Sequence, residues 1–304
     1  MGLHSMDQAI RKGSERMSCL QTIEKPSPLF DYSRWNSQLP GLARQYAGNK
    51  PLPHVLMKDF LSAEVASVIS LEFPSASSQA WIQYKHPNEH KLGLAKRERF
   101  PTGLGEVADE LNSPQFVNWL SQLTGIPGLL ADPSLEGGGL HQSGPGGFLN
   151  LHTDFSHHHY RHNWKRRVNL ILYLNPGWQA GWGGDIEFWD GGMRQCLAKY
   201  PPLLNHALIF NTDERYFHGF PEPLSCPPGE SRKSLAFYYY TLEQDAKTAA
   251  KSTNYRARPG DGLAKSSLIW LDKQAVDLYS RAKTRFGFSD EVASKVLGFL
   301  SGKK

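Results

Sequence analysis

The sequence predicts an α+β fold in which helices come first and an antiparallel sheet follows. Apolar-periodic stretches at residues 62–73, 104–111 and 115–123 predict helices. Residues 137–241 instead alternate short apolar stretches with Gly, Pro and Asn, which is typical of β-strands, and Asp190-Gly191 is a strong hairpin signal. Helices that precede strands in this order predict a domain in which the helices brace one face of the sheet.

The composition is that of a well-packed globular protein. Of the 304 residues 39% are hydrophobic and 12% aromatic, and a net charge of +5 permits anionic ligands without indicating nucleic acid. Cys19, Cys196 and Cys226 are far apart and lack a metal-type spacing, so we expect no disulfide framework and a reducing, cytoplasmic location. No stretch approaches the roughly eighteen apolar residues of a membrane helix, and no secretory signal is recognisable. We therefore expect no membrane partner.

The N-terminal part is predicted to carry an extension before the main domain. Residues 1–50 are polar and contain Pro26, Pro28 and Pro40, and we interpret them as this extension. Ser62 precedes the first predicted helix as an N-cap and Pro74 follows it as a stop signal. The other predictions in this part are strands at residues 51–57 and 81–85 and a charged loop at residues 86–99.

Residues 149–155 form a strand pattern that places an imidazole and a carboxylate on one face. With the strand period of two, His152 and Asp154 point to the same side, opposite an apolar face. A second histidine from a distant strand, such as His218, would complete two imidazoles and one carboxylate around a metal. That set is diagnostic of non-haem Fe(II) oxygenases, and zinc hydrolysis is the competing use. Taken alone, the His-x-Asp spacing favours an exposed strand end with two polar residues over a metal site.

The last predicted strand, residues 232–241, carries a candidate anion clamp. Alternation puts Arg232, Ser234 and Ala236 on one face, so small residues leave room for a carboxylate gripped by the guanidinium. Lys233 is a second candidate, which would face the ligand if the register were shifted by one residue.

These residues occur in an order that resembles a known family. The order is His152-x-Asp154, Tyr173-Leu-Asn175, Gly183-Gly184, His218 and Arg232. It resembles the Fe(II)- and 2-oxoglutarate-dependent dioxygenases in their prolyl 4-hydroxylase-like branch, over residues 137–241, about a third of the chain. The resemblance implies a double-stranded β-helix (jelly roll), Fe(II) as the metal, 2-oxoglutarate as co-substrate and O2 as oxidant.

The resemblance also implies a role for particular residues. His152, Asp154 and His218 would hold the iron, which makes them the catalytic residues. Arg232 would pair with the distal carboxylate of 2-oxoglutarate, assisted by the Tyr173 hydroxyl. Gln142 falls where some relatives carry a tyrosine near the co-substrate, and it is therefore a further candidate contact.

Residues 157–167 form the densest polar cluster of the chain, with four histidines, three arginines and one lysine. A second metal site, a substrate-binding rim and a solvated loop are the competing interpretations. Adjacent histidines on an extended strand alternate faces, which disfavours the metal site. The candidate substrate-binding residues, from this cluster and the N-terminal part, are His157, His159, Arg161, Trp81 and Tyr84.

The expected function is hydroxylation of a C–H bond in a small polar metabolite, anionic or amino-acid-like, with succinate and CO2 as co-products. One alternative is a protein or peptide prolyl hydroxylase, and another is a non-catalytic jelly-roll binding module. A nucleic-acid demethylase is disfavoured because Tyr238 stands where that branch carries a second arginine.

Three segments are predicted: an extension at 1–50, the jelly-roll domain with its preceding helices at 51–245, and a C-terminal extension at 246–304. Helices at 272–286 and 289–300 follow a turn at 259–262. We expect these helices to pack on the jelly roll or to form a homodimer contact. Residues 250–266 could serve as a substrate lid.

Overall fold

The described part of the chain, residues 29–243 and 251–286 of a computed structural model, contains five α-helices and thirteen β-strands. The helices are α1 (Tyr32–Gly48), α2 (Ala63–Leu71), α3 (Thr102–Leu111), α4 (Pro114–Thr124) and α5 (Gly262–Phe286). The strands are β1 (His54–Met57), β2 (Ile82–His86), β3 (Glu89–Leu94), β4 (Leu130–Ala131), β5 (Gly139–Ser143), β6 (Phe148–Thr153), β7 (Trp164–Tyr173), β8 (Ile186–Trp189), β9 (Cys196–Tyr200), β10 (His206–Asn211), β11 (Phe217–Phe220), β12 (Arg232–Leu242) and β13 (Asn254–Tyr255).

The strands form one antiparallel sheet that curls into a nearly closed barrel. Its order is β1-β10-β7-β12-β5-β3-β6-β11-β8-β9, and β3 joins the two halves because it pairs with both β5 and β6. At the two ends of this path, Nε2 of His54 in β1 lies 2.5 Å from the hydroxyl oxygen of Tyr200 in β9. The architecture confirms the predicted α+β fold with a jelly-roll core.

Strands β7 and β12 lie between the hydrophobic core and the cavity, and one face of each strand borders each region. Leu170 and Leu172 in β7, with Leu235 and Phe237 in β12, are fully buried in the cluster that α1, α3 and α4 cover. Because side chains alternate along a strand, the intervening residues of both strands point into the barrel. The helices therefore brace the outer face of the sheet, and the inner face is left for polar groups.

Helix caps explain two of the predicted helices. The Ser62 side chain accepts a hydrogen bond from the Val65 N–H at the start of α2. The Ser113 side chain does the same for the Phe116 N–H at the start of α4, which ends at Gly125 in the left-handed conformation. Both caps satisfy N–H groups that have no partner within the helix.

The N-terminal extension was predicted without naming a helix in it, and the structure adds one at residues 32–48. They form α1, which buries Trp35 and Tyr46 and has Pro40 inside it. The two aromatic residues are eleven positions apart, close to three helical turns, so they face the same core. The boundaries at residues 50 and 245 stay predictions.

The predicted charged loop at residues 86–99 was wrong, because it contains β3, which forms a hairpin with β2. Strand β9 was missed altogether, and the polar cluster is only partly a loop because its residues from Trp164 onward belong to β7.

The C-terminal part packs against the barrel through β13 and α5. Strand β13 pairs with β6, and Tyr255 lies opposite His152. Helix α5 begins ten residues before the predicted start at 272, and the helix predicted at 289–300 lies outside the described residues. Within the described ranges, no helix has both the length and the apolar content that crossing a bilayer requires.

Candidate metal centre

Two neighbouring strands bring the three predicted metal ligands together. His152 in β6 is paired with His218 in β11, and their ring centroids are 4.5 Å apart. Nε2 of His152 lies 3.7 Å from Oδ1 of Asp154, and Nε2 of His218 lies 3.5 Å from Oδ2. Ligand atoms that sit about 2.0–2.2 Å from a shared metal are less than about 4.4 Å apart. Both carboxylate–imidazole pairs therefore fit around one divalent ion.

The protonation states of the three ligands also suit a metal. Burial lowers the pKa of both histidines, that of His218 to about 3, so their rings are neutral. Burial alone would raise the pKa of Asp154, but the Arg166 guanidinium lowers it to about 2. The His152 Nδ1–H donates to the Asn150 carbonyl at 2.9 Å, which leaves Nε2 as the free donor atom for a metal.

The carboxylate of Asp154 is held from both sides by residues of β7. Nη2 of Arg166 lies 3.0 Å from Oδ1, and the Asn169 side-chain amide donates to Oδ2 at 2.8 Å. The Arg166 Nε–H also donates to the Asn169 side-chain oxygen at 2.9 Å, and its guanidinium lies 3.3 Å from the Tyr238 ring centroid. This network fixes the orientation of the carboxylate toward the two histidines.

A β-bulge explains why sequence reasoning missed Arg166. Strict alternation from Asn169 would turn Arg166 away from the cavity. The pairing of β7 with β12 skips Arg167, which leaves one extra residue in β7 and reverses the alternation there. Bulges commonly re-aim a side chain next to a functional site in this way.

A glycine explains the close approach of β11 to β6. A Cβ on Gly219, directly after His218, would lie 2.6 Å from the Leu149 carbonyl oxygen. Only glycine fits at this distance, so the residue after His218 allows the two ligand-bearing strands to meet.

The predicted anion clamp lies in the same cavity as the ligands. Arg232 is buried, its Nε–H donates to the Gly184 carbonyl at 2.8 Å, and Nη2 lies 3.4 Å from the Tyr173 hydroxyl. The described part of the chain shows no carboxylate in an ion pair with this guanidinium. A buried cation without a counterion is costly, and it therefore suits an anionic ligand.

The glycine pair at 183–184 makes room for this arginine. Gly184 has a φ of +82°, and a Cβ at this position would lie 3.0 Å from Cδ of Arg232. The register of β12 is as predicted, because Ser234 and Ala236 line the cavity together with Arg232. Lys233 points the other way, and its backbone N–H donates to the Asn175 side chain.

Gln142 does not line the cavity, and its predicted contact with the co-substrate is corrected. Its amide donates to the Ser231 hydroxyl at 2.7 Å, whereas its neighbours His141 and Ser143 line the cavity. Alternation in β5 turns Gln142 away from the cavity and its two neighbours toward it. Burial lowers the pKa of His141 to about 3, so this ring is neutral.

The five candidate substrate-binding residues also lie outside the cavity lining. Nε2 of His157 lies 2.8 Å from a carboxylate oxygen of Glu243. Nδ1 of His159 lies 3.2 Å from a carboxylate oxygen of Glu136. Arg161 is paired with Asp132 in the same manner, at 3.3 Å. These three residues of the polar cluster therefore have carboxylate partners that lie outside it in the sequence, and the sequence of the cluster alone does not show these partners.

The two aromatic candidates have structural contacts instead. The Trp81 indole N–H donates to the Ser75 carbonyl at 2.8 Å, and its ring stacks on Phe73. The Tyr84 ring lies beneath the Lys91 ammonium, 5.4 Å from it. Lys91 itself lines the cavity and was missed because its strand had been predicted as a loop.

Comparison with known proteins gives one match to a family. Residues 138–240, which span β5 to most of β12, match the family model of the 2OG-Fe(II) oxygenase superfamily. No curated protein is similar enough to count as a relative.

Several solved structures are similar at low identity. A Pseudomonas putida prolyl-4-hydroxylase is 16% identical over 67% of this chain and 99% of its own, with a TM-score of 0.49. A prolyl 4-hydroxylase from Phytophthora capsici is 18% identical over 87% of this chain and 79% of its own, with a TM-score of 0.49. HygX from Streptomyces hygroscopicus is 13% identical over 67% of this chain and 93% of its own, with a TM-score of 0.43. Its structure was solved with nickel, 2-oxoglutarate and hygromycin B bound.

Proposed function

We propose that this protein, whose residues 138–240 match the family model of the 2OG-Fe(II) oxygenase superfamily, is a 2-oxoglutarate-dependent oxidoreductase that hydroxylates a C–H bond of a small polar molecule. The substrate is anionic or amino-acid-like. One observation carries the proposal: the three metal ligands and the buried Arg232, which has no described counterion, face a single cavity. The match to the family confirms the resemblance inferred from the sequence.

The donor set suits Fe(II) and leaves room for other ligands. His152, Asp154 and His218 offer one donor atom each, and these atoms lie within 4.8 Å of one another. Two imidazoles and one carboxylate on one face leave the remaining coordination positions open. When bound, Fe(II) together with O2 and 2-oxoglutarate supplies the oxidising chemistry, with succinate and CO2 as co-products.

Arg232 is the residue that would bind the distal carboxylate of 2-oxoglutarate. Its guanidinium can offer parallel N–H groups to a carboxylate, the geometry in which such pairs are strongest. The Gly184 carbonyl and the Tyr173 hydroxyl hold the arginine in place. Tyr173 is fully buried and is not among the residues that line the cavity, so its hydroxyl would act through Arg232.

Apolar side chains would keep water away from the reacting groups. Leu149, Ile171, Ile186 and Phe220 line the cavity between the metal ligands and Arg232. Exclusion of water strengthens each electrostatic contact within the cavity and limits side reactions.

The charge of the cavity supports a small anionic or zwitterionic substrate. Lys91, Arg166 and Arg232 line it, against the single lining carboxylate of Asp154. Glu89 and Asp154 offset the charges of Lys91 and Arg166, and Fe(II) and the 2-oxoglutarate dianion cancel each other, so one positive charge, equal to that of Arg232, remains in excess. A cavity with several buried charges favours a polar metabolite over an apolar one.

The test is succinate release from 2-oxoglutarate with Fe(II), first alone and then with free amino acids, small acids and proline-containing peptides offered separately. We expect coupled turnover with a member of the first two groups. Coupling only to the peptides, with a mass gain of one oxygen on proline, would show a prolyl hydroxylase instead. Neither succinate nor a charge-transfer absorption band with anaerobic Fe(II) and 2-oxoglutarate would indicate a non-catalytic binding module.

A further inference from the structure

Lys91 is a cavity cation that the metal and co-substrate contacts leave unassigned. It lies in β3, where Leu92 pairs with Gln142 of β5, so Lys91 stands beside Ser143. Ser143 in turn pairs with Arg232 of β12. With about 4.8 Å between neighbouring strands, the backbones of Lys91 and Arg232 are roughly 10 Å apart, on the same face of the sheet.

The ammonium of Lys91 extends toward the metal-ligand end of the cavity. Burial alone would lower its pKa, but Glu89 raises it above the ordinary value, with smaller contributions from Tyr238 and Asp154. Lys91 lines the same cavity as His152, Asp154 and His218. Lys91 therefore faces the space beside the metal ligands, whereas Arg232 is held beside Gly184 and Tyr173.

A chain of alternating charges anchors Lys91 from behind. Nζ lies 2.8 Å from Oε2 of Glu89, whose Oε1 lies 2.9 Å from Nε2 of His86. Nδ1 of His86 lies 2.6 Å from Oδ2 of Asp272 in α5. The charges of the two cations and two carboxylates in this chain balance. These contacts hold the Lys91 ammonium in its position.

The other two cations of the cavity, Arg166 and Arg232, already have a partner or a proposed ligand. Arg166 pairs with the Asp154 carboxylate, and Arg232 is the clamp for the co-substrate. An ammonium has three N–H donors, and among the described residues the Glu89 carboxylate is paired with Lys91 while the Tyr84 ring lies 5.4 Å from its Nζ. Donor capacity therefore remains on the side that faces the cavity.

From this placement we propose that Lys91 binds a carboxylate of the substrate and so selects small acids over their uncharged analogues. The inference rests on the proposed function, because it concerns the substrate of the same cavity. The Lys91 ammonium would hold one end of the substrate while the C–H bond to be oxidised lies against the metal ligands.

The experiment compares each small acid with its amide. Succinate formation is measured with free L-amino acids and the matching L-amino acid amides, and kcat/KM for acid and amide gives a preference ratio. The wild type is expected to prefer an acid. Lys91→Met is expected to lower that ratio on the order of 10- to 100-fold, the loss typical of one charged hydrogen bond. Lys91→Arg is expected to retain most of it.

A binding measurement accompanies the kinetics. Titration calorimetry with Mn(II) in place of Fe(II), and with 2-oxoglutarate bound, gives the acid and amide affinities without turnover. Lys85→Met is the matched control, because Lys85 is an exposed lysine on the neighbouring strand β2. It should leave the ratio and the affinities unchanged.

The outcomes separate the two proposals. If the wild type releases succinate but prefers no acid over its amide, or if Lys91→Met keeps the wild-type ratio and only lowers the melting temperature, the Lys91 inference is overturned while the oxygenase proposal stands. If the wild type neither releases succinate nor forms the charge-transfer band, the proposed function itself fails.

Discussion

Arg166 lies 3.0 Å from the carboxylate of Asp154, the proposed metal ligand, and its guanidinium stacks on the Tyr238 ring at 3.3 Å. The same carboxylate would thus serve two partners: a metal on one side and a buried cation on the other. Removal of its charge should affect both metal affinity and folding stability, and the two effects can be separated.

The first prediction concerns Asp154→Asn, which keeps the size of the side chain but removes its charge. Metal affinity should fall at least about tenfold, and turnover should be lost. The metal-free protein should lose on the order of 1–3 kcal/mol of unfolding free energy, because Arg166 then stays buried without a counterion. Calorimetric titration with Mn(II) and urea unfolding measure the two losses.

The matched variant is the double substitution Asp154→Asn with Arg166→Met. It should regain much of the lost stability but none of the metal affinity, since the uncompensated cation is gone and the ligand is still missing. Equal stability of the single and double variants would contradict the ion-pair explanation.

The second prediction separates the anion clamp from the metal ligands. Arg232→Ala should leave metal affinity nearly unchanged and weaken 2-oxoglutarate binding by about 2–5 kcal/mol, as expected for truncation of a buried, charged hydrogen-bond partner. Lys233→Ala is the control, because this neighbour points away from the cavity. A larger loss in the control than in Arg232→Ala would mean that the clamp is Lys233.

The third prediction concerns Tyr173→Phe, which removes only the hydroxyl near Arg232. We expect 2-oxoglutarate affinity to fall by about 0.5–1.5 kcal/mol, the net contribution of one hydrogen bond. The loss should be clearly smaller than that of Arg232→Ala in the same titration. Losses of equal size would assign the main contact to the hydroxyl rather than to the guanidinium.

The fourth prediction is a pH dependence of stability that arises from His86. Burial alone would lower its pKa, but hydrogen bonds to Asp272 and Glu89 raise it to about 9. A raised pKa means that the protonated ring stabilises the fold. This contribution is complete below about pH 6.5, the value for the unfolded chain, and disappears as the pH rises through about 9.

Urea unfolding at about pH 6, 8 and 10 tests this dependence. The wild type should lose on the order of 2 kcal/mol relative to His86→Gln between the first and the last condition. His90→Gln, a substitution in the same hairpin, should follow the wild type. Parallel curves for wild type and His86→Gln would show that His86 does not contribute in this way.

The grouping of His152, Asp154, His218 and Arg232 around one cavity could be predicted because its signals are local. His152 and Asp154 share a strand face by alternation, and the intervals to His218 and Arg232 match a known order. The small residues beside Arg232 indicated the register of β12. These features depend on residue type and spacing alone, which a sequence displays.

The rest depends on contacts between distant residues or on local irregularities. Residues 86–99 looked like a loop because Glu89 and Lys91 are charged, yet the inner face of an enzyme barrel is polar, which obscures the usual strand pattern. Arg166 points inward only because of a bulge. His157, His159 and Arg161 were named as candidate substrate-binding residues because their partners, such as Glu243, lie far away in sequence.

The His54–Tyr200 contact has a consequence for aggregation. Edge strands present unpaired N–H and C=O groups on which strands of other molecules can assemble. Here one side-chain contact joins β1 and β9, the two ends of the strand path. Tyr200→Ala removes this contact, and we expect the variant to aggregate more readily than the wild type, which light scattering measures.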